Sequence, residues 1–378
     1  MSTSVLVLGA GFGGLELSTR LSEELGDQVE VTLIDRADAF MFGFSKLDVM
    51  FGLREPAEVR AHYSDITTPQ VRFRQETVTA IDADARRVTT DLDTYEADVL
   101  VLALGADYDV AATPGLSEAG NEFYSVPGAE TVRDVLPTFR SGTAIVGVCG
   151  TPFKCPPAPS EAALLLDTSL RERGLRDDVH IRLVMPFGTP IPPSPDTSAA
   201  ILATLAERDI EFVPERTVTS LDPATHEAVL DDGTRHAYDL FLGIPVHRAP
   251  AVVEPMTDDG WIAVDPRTLA TRYAGVYAVG DVTSVGTPKA GVFAERAAHA
   301  LADRLVAELR GDPLPAGFDG TGACWIEFGG HEVGRVDVDF FSTPGRPTGT
   351  FTPPSAEMAE EKAAFGADRR ARWFGSAN

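Results

Sequence analysis

The sequence predicts an α/β protein with two parallel-sheet domains and a small C-terminal α+β segment. Its 378 residues are more than twice the ~150 of a typical domain. Apolar residues make up 44% and charged residues 24%, which is the balance of a folded globular chain. In both halves, short apolar runs typical of buried parallel strands are followed by stretches of helical pattern. Together these observations favour two doubly wound domains.

The charge balance argues against one class of partner. Aspartate and glutamate total 57 against 32 lysine and arginine residues, giving a formal charge of −25. Such a field repels phosphate backbones, so we expect no nucleic-acid partner. Only four basic residues are lysines, at positions 46, 154, 289 and 362. That skew fits a high-salt environment and a codon bias equally well.

The cysteine count and the N-terminus bear on the cellular compartment. Cys149, Cys155 and Cys324 are too few for a secreted disulfide framework. No apolar run approaches the ~18 residues that span a bilayer, and no basic region precedes the apolar residues 5–8. We therefore expect a cytoplasmic, soluble protein, or one attached peripherally to the cytoplasmic face of a membrane.

A glycine-rich turn follows the first predicted strand. Residues 5–8 form that strand, residues 9–14 read Gly-Ala-Gly-Phe-Gly-Gly, and residues 15–25 have a helical pattern. A second strand, residues 29–34, ends at Asp35, about twenty residues beyond the last glycine. This order of strand, glycine turn, helix, strand and acid is typical of a Rossmann-like dinucleotide-binding domain.

Each residue of the turn has a physical role in such a domain. Gly9 makes the tight turn, Gly11 lets a pyrophosphate approach the backbone, and Gly14 brings helix and strand close together. The helix N-terminus then faces the phosphates. Asp35 accepts hydrogen bonds from a ribose diol.

Two later segments indicate which dinucleotide binds. Residues 99–106 are a buried strand ending in a turn at Gly105, and residues 275–281 are a strand ending in Gly280 and Asp281. With the first turn, these segments resemble the two-dinucleotide-domain flavoproteins of the disulfide-reductase superfamily, over nearly the whole chain. The resemblance implies that Asp281 is an FAD ligand and that the strand carrying Gly105 crosses between the domains.

The second domain keeps the strand, residues 143–148, but not the glycine fingerprint for NAD(P)H. Pro156, Pro157 and Pro159 occupy the turn, and proline has no amide hydrogen for a phosphate cradle. The next strand, residues 180–185, offers no acidic residue for a ribose. We infer a second Rossmann-like domain that has lost its nucleotide.

A cysteine stands in that turn instead. Cys155 lies at the predicted strand-to-helix junction, where the helix N-terminus and Lys154 are expected to lower the thiol pKa. Cys149 ends an apolar strand and is expected to be buried and inert.

The surrounding segment carries a more specific resemblance. Residues 153–161, Phe-Lys-Cys-Pro-Pro-Ala-Pro-Ser-Glu, resemble the signature of sulfide:quinone oxidoreductases and of the flavoprotein subunit of flavocytochrome c sulfide dehydrogenase. Residues 322–325 are similar to the family's second cysteine segment. Pro288 and Lys289, with Gly291, match the segment beneath the flavin ring. The resemblance extends to about residue 330.

This resemblance implies a reaction. Hydrosulfide attacks a sulfur bridge between Cys155 and Cys324, one cysteine keeps the added sulfur as a persulfide, and two electrons pass to FAD. Lys289 stabilises charge on the reduced ring, and Glu161 handles protons. Hydrosulfide, polysulfide and a quinone are the expected partners. Residues 39–46 contain no cysteine, so FAD is expected to be non-covalent.

The expected cofactor-binding residues are Gly9, Gly11, Phe12, Gly13, Gly14, Asp35, Arg36, Lys46, Val78, Gly105, Gly280, Asp281 and Lys289. No metal site is expected. The expected boundaries are 1–105 with 256–310 for a discontinuous FAD domain, 106–255 for the second domain and 311–378 for the C-terminal region. The last region is expected to shape the acceptor entrance through Phe340 and Phe341.

The C-terminal end has two interpretations. Residues 342–354 are predicted to form a loop and residues 355–374 a helix ending near Arg369, Arg370 and Arg372. That basic, aromatic end suits a membrane surface, but we favour packing on the body of the protein. Three functions remain as alternatives: a sulfide dehydrogenase with a cytochrome acceptor, an NAD(P)H:quinone reductase and a flavin redox sensor without turnover. A homo-oligomer stays open.

Overall fold

The computed structural model describes residues 2–342 and 345–375. Its helices are α1 (Phe12–Leu25), α2 (Ser45–Met50), α3 (Pro56–Val59), α4 (Leu116–Ala119), α5 (Val126–Val135), α6 (Ala158–Glu172), α7 (Pro195–Glu207), α8 (Gly291–Arg310) and α9 (Ala356–Phe374). The helices predicted over residues 15–25 and 355–374 correspond to α1 and α9, whose first residues differ from the prediction by three positions and by one. Because Gly13 and Gly14 adopt helical geometry, α1 begins before the apolar pattern does.

The first parallel sheet draws strands from both ends of the chain. Its order is Val276–Ala278, Val99–Leu102, Thr3–Leu8, Val29–Asp35 and Val71–Gln75. An antiparallel sheet of Val78–Asp82, Arg87–Thr90 and Thr94–Glu96 lies beside it. Helices α1 and α8 pack against each other at this sheet. The carboxyl ends of its strands therefore meet at one edge, where the glycine turn lies.

The second half repeats this arrangement. Its parallel sheet has the order Asn121–Glu122, Leu240–Ile244, Gly142–Val148, Val179–Val184 and Ile210–Val213. Another antiparallel sheet follows, formed by Val218–Asp222, Glu227–Leu230 and Arg235–Ala237. The predicted α/β class with two Rossmann-like halves is confirmed.

Short two-stranded pairs link these layers: Ala39–Met41 with Arg60–His62, Asp107–Asp109 with Val246–Arg248, and Thr257–Asp258 with Trp261–Ile262. The C-terminal region adds an antiparallel sheet of Thr321–Gly329, Glu332–Asp339 and Thr348–Ser355. Helix α6 packs against the first of these strands and α9 against the second.

The predicted loop over residues 342–354 is wrong from Thr348 onward, because Thr348–Ser355 is a strand. Residues 343 and 344 lie outside the described residues. Pro353 and Pro354 argued against a strand, yet this strand lies at the edge of its sheet, where proline is tolerated. Phe351 pairs with Val336 and its ring contacts Phe328 at 6.1 Å between centroids, which supports the pairing.

The end of α9 packs on the protein, as the favoured interpretation has it. Trp373 is 1% exposed and donates its indole N–H to Glu16 at 2.7 Å. Arg369 pairs with Glu295, and Arg372 pairs with Glu16. Among the residues that the structure describes, no helix has the length and apolar character needed to cross a bilayer.

Candidate active site

A cavity of about 750 Å³ lies where the two parallel sheets and the C-terminal sheet meet. It brings together nearly all of the predicted site residues. Its lining includes Gly9, Gly11, Phe12, Gly13, Asp35, Arg36, Lys46, Val78, Gly105, Cys155, Glu161, Gly280, Asp281, Lys289 and Cys324. Of the predicted set, Gly14 is the residue outside this lining.

The glycine turn has the geometry of a close backbone contact. Gly9 has φ +99°, and a Cβ added there would lie 2.3 Å from the carbonyl oxygen of Ala103. A Cβ on Gly14 would lie 1.9 Å from the carbonyl oxygen of Gly9. A Cβ on Gly11 would meet no protein atom within 4 Å. Gly9 and Gly14 are thus required for packing, whereas Gly11 leaves open space beside the cavity.

Two carboxylates complete this part of the cavity. Asp35 Oδ2 accepts the amide N–H of Ala10 at 2.8 Å, and its Oδ1 accepts that of Ala37 at 2.8 Å. Burial raises the pKa of Asp281, although Lys154, Lys289 and Lys46 oppose that rise. The open turn, the oriented Asp35 and the enclosed Asp281 fit the phosphate, ribose and ribityl parts of a dinucleotide.

All four lysines of the chain line this cavity, although the protein carries a charge of −25. Lys46 Nζ donates to the carbonyl oxygen of Tyr124, and Lys154 Nζ to that of Ala106, each at 2.6 Å. Neither contact neutralises the ammonium charge. The lysines therefore bring local positive charge into the cavity, where it is balanced by the acidic side chains of the same lining, which are Asp35, Glu76, Asp107, Glu161 and Asp281.

Lys289 connects the two halves. Its Nζ donates to the carbonyl oxygen of Asp281 at 2.6 Å and lies 3.2 Å from the centroid of the Trp261 ring. Its carbonyl oxygen accepts the amide N–H of Cys155 at 2.7 Å. Burial lowers the pKa of Lys289 to about 8. The cysteine turn is thus fixed to the segment at residues 288–291 through the backbone.

The two predicted redox cysteines line the same cavity and carry free thiols. Cys155 has φ +51° and precedes α6, while Cys324 lies in the strand Thr321–Gly329, which packs on α6. This packing joins two residues that are 169 positions apart. Cys149 is buried in a separate apolar cluster with Ile145 and Phe241, as the sequence predicts.

Glu161 lies in the first turn of α6, close to both thiols. It is 3% exposed, and one carboxylate oxygen accepts the amide N–H of Glu327 at 3.0 Å. Burial raises its pKa to about 7, against the opposing charge of Lys362. A carboxyl group with such a pKa exchanges protons near neutral pH.

Comparison with known proteins decides the family. Residues 3–301 match the family model of the pyridine nucleotide-disulphide oxidoreductases. The chain belongs to this family. The predicted FAD-dependent oxidoreductase is thereby confirmed, and the residues of the cavity fit the cofactor.

Two relatives are similar over most of their length. The mitochondrial sulfide:quinone oxidoreductase of Mus musculus is 27% identical over 361 residues, covering 90% of this chain and 79% of that protein. The sulfide-quinone reductase of Aquifex aeolicus (strain VF5) is 25% identical over 371 residues, covering 87% and 82%. The solved structure of the sulfide:quinone oxidoreductase from the hyperthermophilic bacterium Aquifex aeolicus superposes with a TM-score of 0.86 at 21% identity, covering 100% of this chain and 93% of that one.

One prediction for this member of the pyridine nucleotide-disulphide oxidoreductases is wrong. The thiol pKa of Cys155 is raised, not lowered, because the thiol is buried and faces Glu161 and Cys324. Lys154 Nζ turns away to Ala106 and Tyr108. Burial, with Glu161, likewise raises the pKa of Cys324 to about 12. While the two cysteines are reduced, burial therefore favours the protonated form of both thiols.

A second correction concerns the apolar side chains of the cavity. Phe340 contacts Phe293 and Phe341 contacts Phe318, each at 5.6 Å between ring centroids, and neither lines the cavity. Both side chains are half-buried and pack against the hydrophobic core. Among the described residues, aromatic rings from α9 and from the segment before α2 line the cavity instead, including Phe365 and Phe44.

Sequence reasoning missed several residues here. His247 is buried, its Nε2 accepts the amide N–H of Lys154, and burial lowers its pKa to about 3. No motif surrounds it, so no signal was available. Lys362, which is buried, and Glu327, which is partly buried, form an ion pair at 2.5 Å between Nζ and Oε1, beside Glu161. The scarcity of lysine was the available signal for Lys362.

Proposed function

We propose that this protein oxidises hydrosulfide at Cys155 and Cys324 and passes two electrons through FAD to a quinone. One observation carries the proposal: a single cavity brings the dinucleotide-binding turn, both cysteines and a buried glutamate together. The names of the relatives supply the substrate and the acceptor. Bound FAD would supply the two-electron acceptor beside the thiols.

The cysteines supply the sulfur chemistry. Bound FAD would supply the two-electron oxidant that converts the two free thiols to a bridge between Cys155 and Cys324. Hydrosulfide then attacks one sulfur of this bridge, so that a new S–S bond forms and the bridge breaks. One cysteine then carries the persulfide, and the other leaves as a thiolate. Glu161 takes the persulfide proton, since its pKa of about 7 allows both proton states near neutral pH.

The remaining cavity residues bind and orient. Gly9, Gly11 and the N-terminus of α1 would hold the pyrophosphate, with Asp35 at the ribose and Asp281 near the ribityl chain. Among the lysines of the lining, Lys362 lies near both cysteines and would offer local positive charge to the hydrosulfide anion. Lys289 would lie at the pyrimidine end of the flavin, where it stabilises negative charge.

The domain limits are part of this proposal. We assign residues 1–105 and 256–310 to the FAD domain, 106–255 to the second domain and 311–378 to the region at the acceptor side. The first parallel sheet combines strands from both parts of the FAD domain, which supports the assignment. FAD is proposed to be non-covalent, because residues 39–46 contain no cysteine.

The second turn does not suit a nicotinamide nucleotide. Pro156, Pro157 and Pro159 have no amide hydrogens. The amide of Ala158 already donates to the carbonyl oxygen of Cys155, at 2.9 Å, and that of Glu161 to Pro157, at 3.1 Å. Few donors remain for a pyrophosphate at the start of α6, so NAD(P)H:quinone reductase activity is disfavoured.

Anaerobic titration of the purified yellow protein with sulfide tests the proposal. We expect sulfide to bleach the flavin, and a short-chain quinone added afterwards to restore it. Cytochrome c is added to a separate sample. If the absorbance of oxidised flavin recovers faster with cytochrome c than with quinone, the sulfide dehydrogenase alternative is favoured. A flavin that sulfide leaves oxidised would contradict the proposal.

A further inference from the structure

A buried group of charges connects Glu161 to the C-terminal helix. Lys362, on α9, is 9% exposed and pairs with Glu327 at 2.5 Å between Nζ and Oε1. Glu327 in turn donates its amide N–H to Glu161. Lys362 lines the main cavity beside the cysteines and also a second cavity of about 530 Å³ between α2, α6 and α9, which Asp48 and Glu327 line as well.

One positively charged side chain interacts with several acidic side chains in this group. The titratable groups that act on Glu161 or are acted on by it include Cys155, Tyr124, Asp48, Cys324, Glu327 and Lys362. Lys362 is the cation among them. Burial alone would lower the pKa of Lys362, but Glu161, Glu327 and Asp48 outweigh it and raise that pKa. The ammonium therefore stays charged over the range in which Glu161 titrates.

We propose that Lys362 is a positioning residue that favours the ionised form of Glu161, and so sets the pH range in which sulfide reduces the flavin. The inference rests on the proposed function, because it concerns the proton that Glu161 removes. In that step the S–H bond of the persulfide breaks, the electron pair stays on sulfur, and the proton goes to the Glu161 carboxylate. A protonated Glu161 cannot perform it.

The direction of the effect follows from the charges. Lys362 opposes the rise in the pKa of Glu161 that burial produces. Removing its charge leaves a buried carboxylate with less compensation, so Glu161 binds its proton up to higher pH. Helix α9 thus contributes to the sulfide half-reaction, although the sequence predicted a role for this region on the acceptor side.

The test compares Lys362→Met, Lys362→Arg and the unchanged protein in anaerobic stopped flow. The rate of flavin reduction by sulfide is measured against pH. We expect the rate to fall as pH drops through the pKa of Glu161. In Lys362→Met this fall should lie about one pH unit higher, the size that a single nearby charge produces. Lys362→Arg keeps the charge and should restore the original profile.

A control from the same helix separates charge from folding. Arg369→Met removes the pair of Arg369 with Glu295, and it should leave the pH profile in place even if α9 loses stability. Should Lys362→Met fail to fold because Glu327 is left unpaired, the double variant Lys362→Met with Glu327→Gln removes both charges. In this double variant the rate profile should still shift to higher pH, but by less than in Lys362→Met alone.

Infrared titration of the protonated-carboxyl band gives a readout that does not depend on turnover. The band of Glu161 is the one that Glu161→Gln removes, and we expect its midpoint to rise in Lys362→Met. An unmoved midpoint and an unmoved rate profile would overturn the inference while leaving sulfide oxidation intact. Failure of sulfide to reduce the flavin of the unchanged protein would instead overturn the proposed function. Protonation of hydrosulfide is common to all variants, so only differences between them are interpreted.

Discussion

The two halves of the molecule each place a buried glutamate near the start of the helix that follows the first turn. In the FAD-binding half this is Glu16 of α1, and in the second half it is Glu161 of α6. Glu16 is 0% exposed and Glu161 is 3% exposed. The two positions are similar in fold and in burial, but their pKa values move in opposite directions.

The difference lies in their partners. Burial alone would raise the pKa of Glu16, but hydrogen bonds from His299, Arg372 and Trp373 lower it to about 2. Glu161 receives a backbone N–H and has Lys362 as a neighbouring charge, and burial raises its pKa to about 7. A fully partnered carboxylate is a structural anion, whereas a partly partnered one exchanges protons.

The turns that precede α1 and α6 also differ in the groups that they present to the cavity. The first has glycines whose backbone is open to the cavity, and the second has prolines and Cys155. The first half therefore keeps groups that bind an anion, and the second presents a thiol and an acid. Duplicated folds can divide binding and chemistry between them in this way.

The largest expected effect concerns the cysteines of the second half. Cys155→Ala and Cys324→Ala each remove one end of the proposed sulfur relay, and sulfide-driven flavin reduction should fall by more than about 10³-fold. Cys149→Ala is the matched control, because that thiol is buried in a separate cluster. Stopped-flow absorbance of the flavin measures all three. Equal loss in a folded, yellow Cys149→Ala would show that the pair is wrongly assigned.

The next prediction concerns the glycines of the first half. Gly14→Ala places a Cβ against the carbonyl oxygen of Gly9 and should destabilise the whole domain, with or without FAD. Gly11→Ala meets no protein atom, so the apoprotein should keep its Tm but bind FAD more weakly. Thermal unfolding and flavin release report the two effects. Unchanged FAD affinity in Gly11→Ala would argue against a pyrophosphate at this turn.

Glu16→Gln should cost stability. The substitution removes the charged hydrogen bonds of Glu16 to His299 and Arg372, but Arg372 is partly exposed and keeps its pair with Glu23. We therefore expect a loss of about 2 kcal/mol in the free energy of unfolding. Since the pKa of Glu16 is lowered, its contribution is present above pH ~4.5 and is lost as pH falls towards about 2. Denaturant unfolding between pH 7 and pH 3 measures this. A mutant as stable as the unchanged protein at pH 7 would contradict the structural role.

Glu161→Gln tests the second glutamate of the comparison, whose effect on stability is expected to depend on pH in the opposite direction to that of Glu16. Because the pKa of Glu161 is raised, its stabilising effect is present below pH ~4.5 and is lost as pH rises through about 7. Glu161→Gln should therefore unfold with a weaker pH dependence between pH 5 and pH 8, and it should slow sulfide oxidation. A steeper pH dependence of unfolding in the mutant would show that the pKa of Glu161 is not raised.

Much of this could be predicted from sequence because local patterns carried it. The glycine turn and Asp35 are close in the chain, and proline chemistry alone disfavours a nucleotide at the second turn. The thiol pKa of Cys155 could not be predicted, since it depends on burial and on Glu161 and Cys324. Lys362 was missed for the same reason: its partners come from distant parts of the chain.

The central claim is that the second turn serves sulfur chemistry in place of a nicotinamide nucleotide. Its most direct test is a paired anaerobic measurement of flavin absorbance on one preparation, with sulfide added to one sample and NADH or NADPH to others. The account predicts fast bleaching by sulfide and none at a useful rate by either nucleotide. Fast bleaching by NADH or NADPH, with sulfide inert, would contradict it.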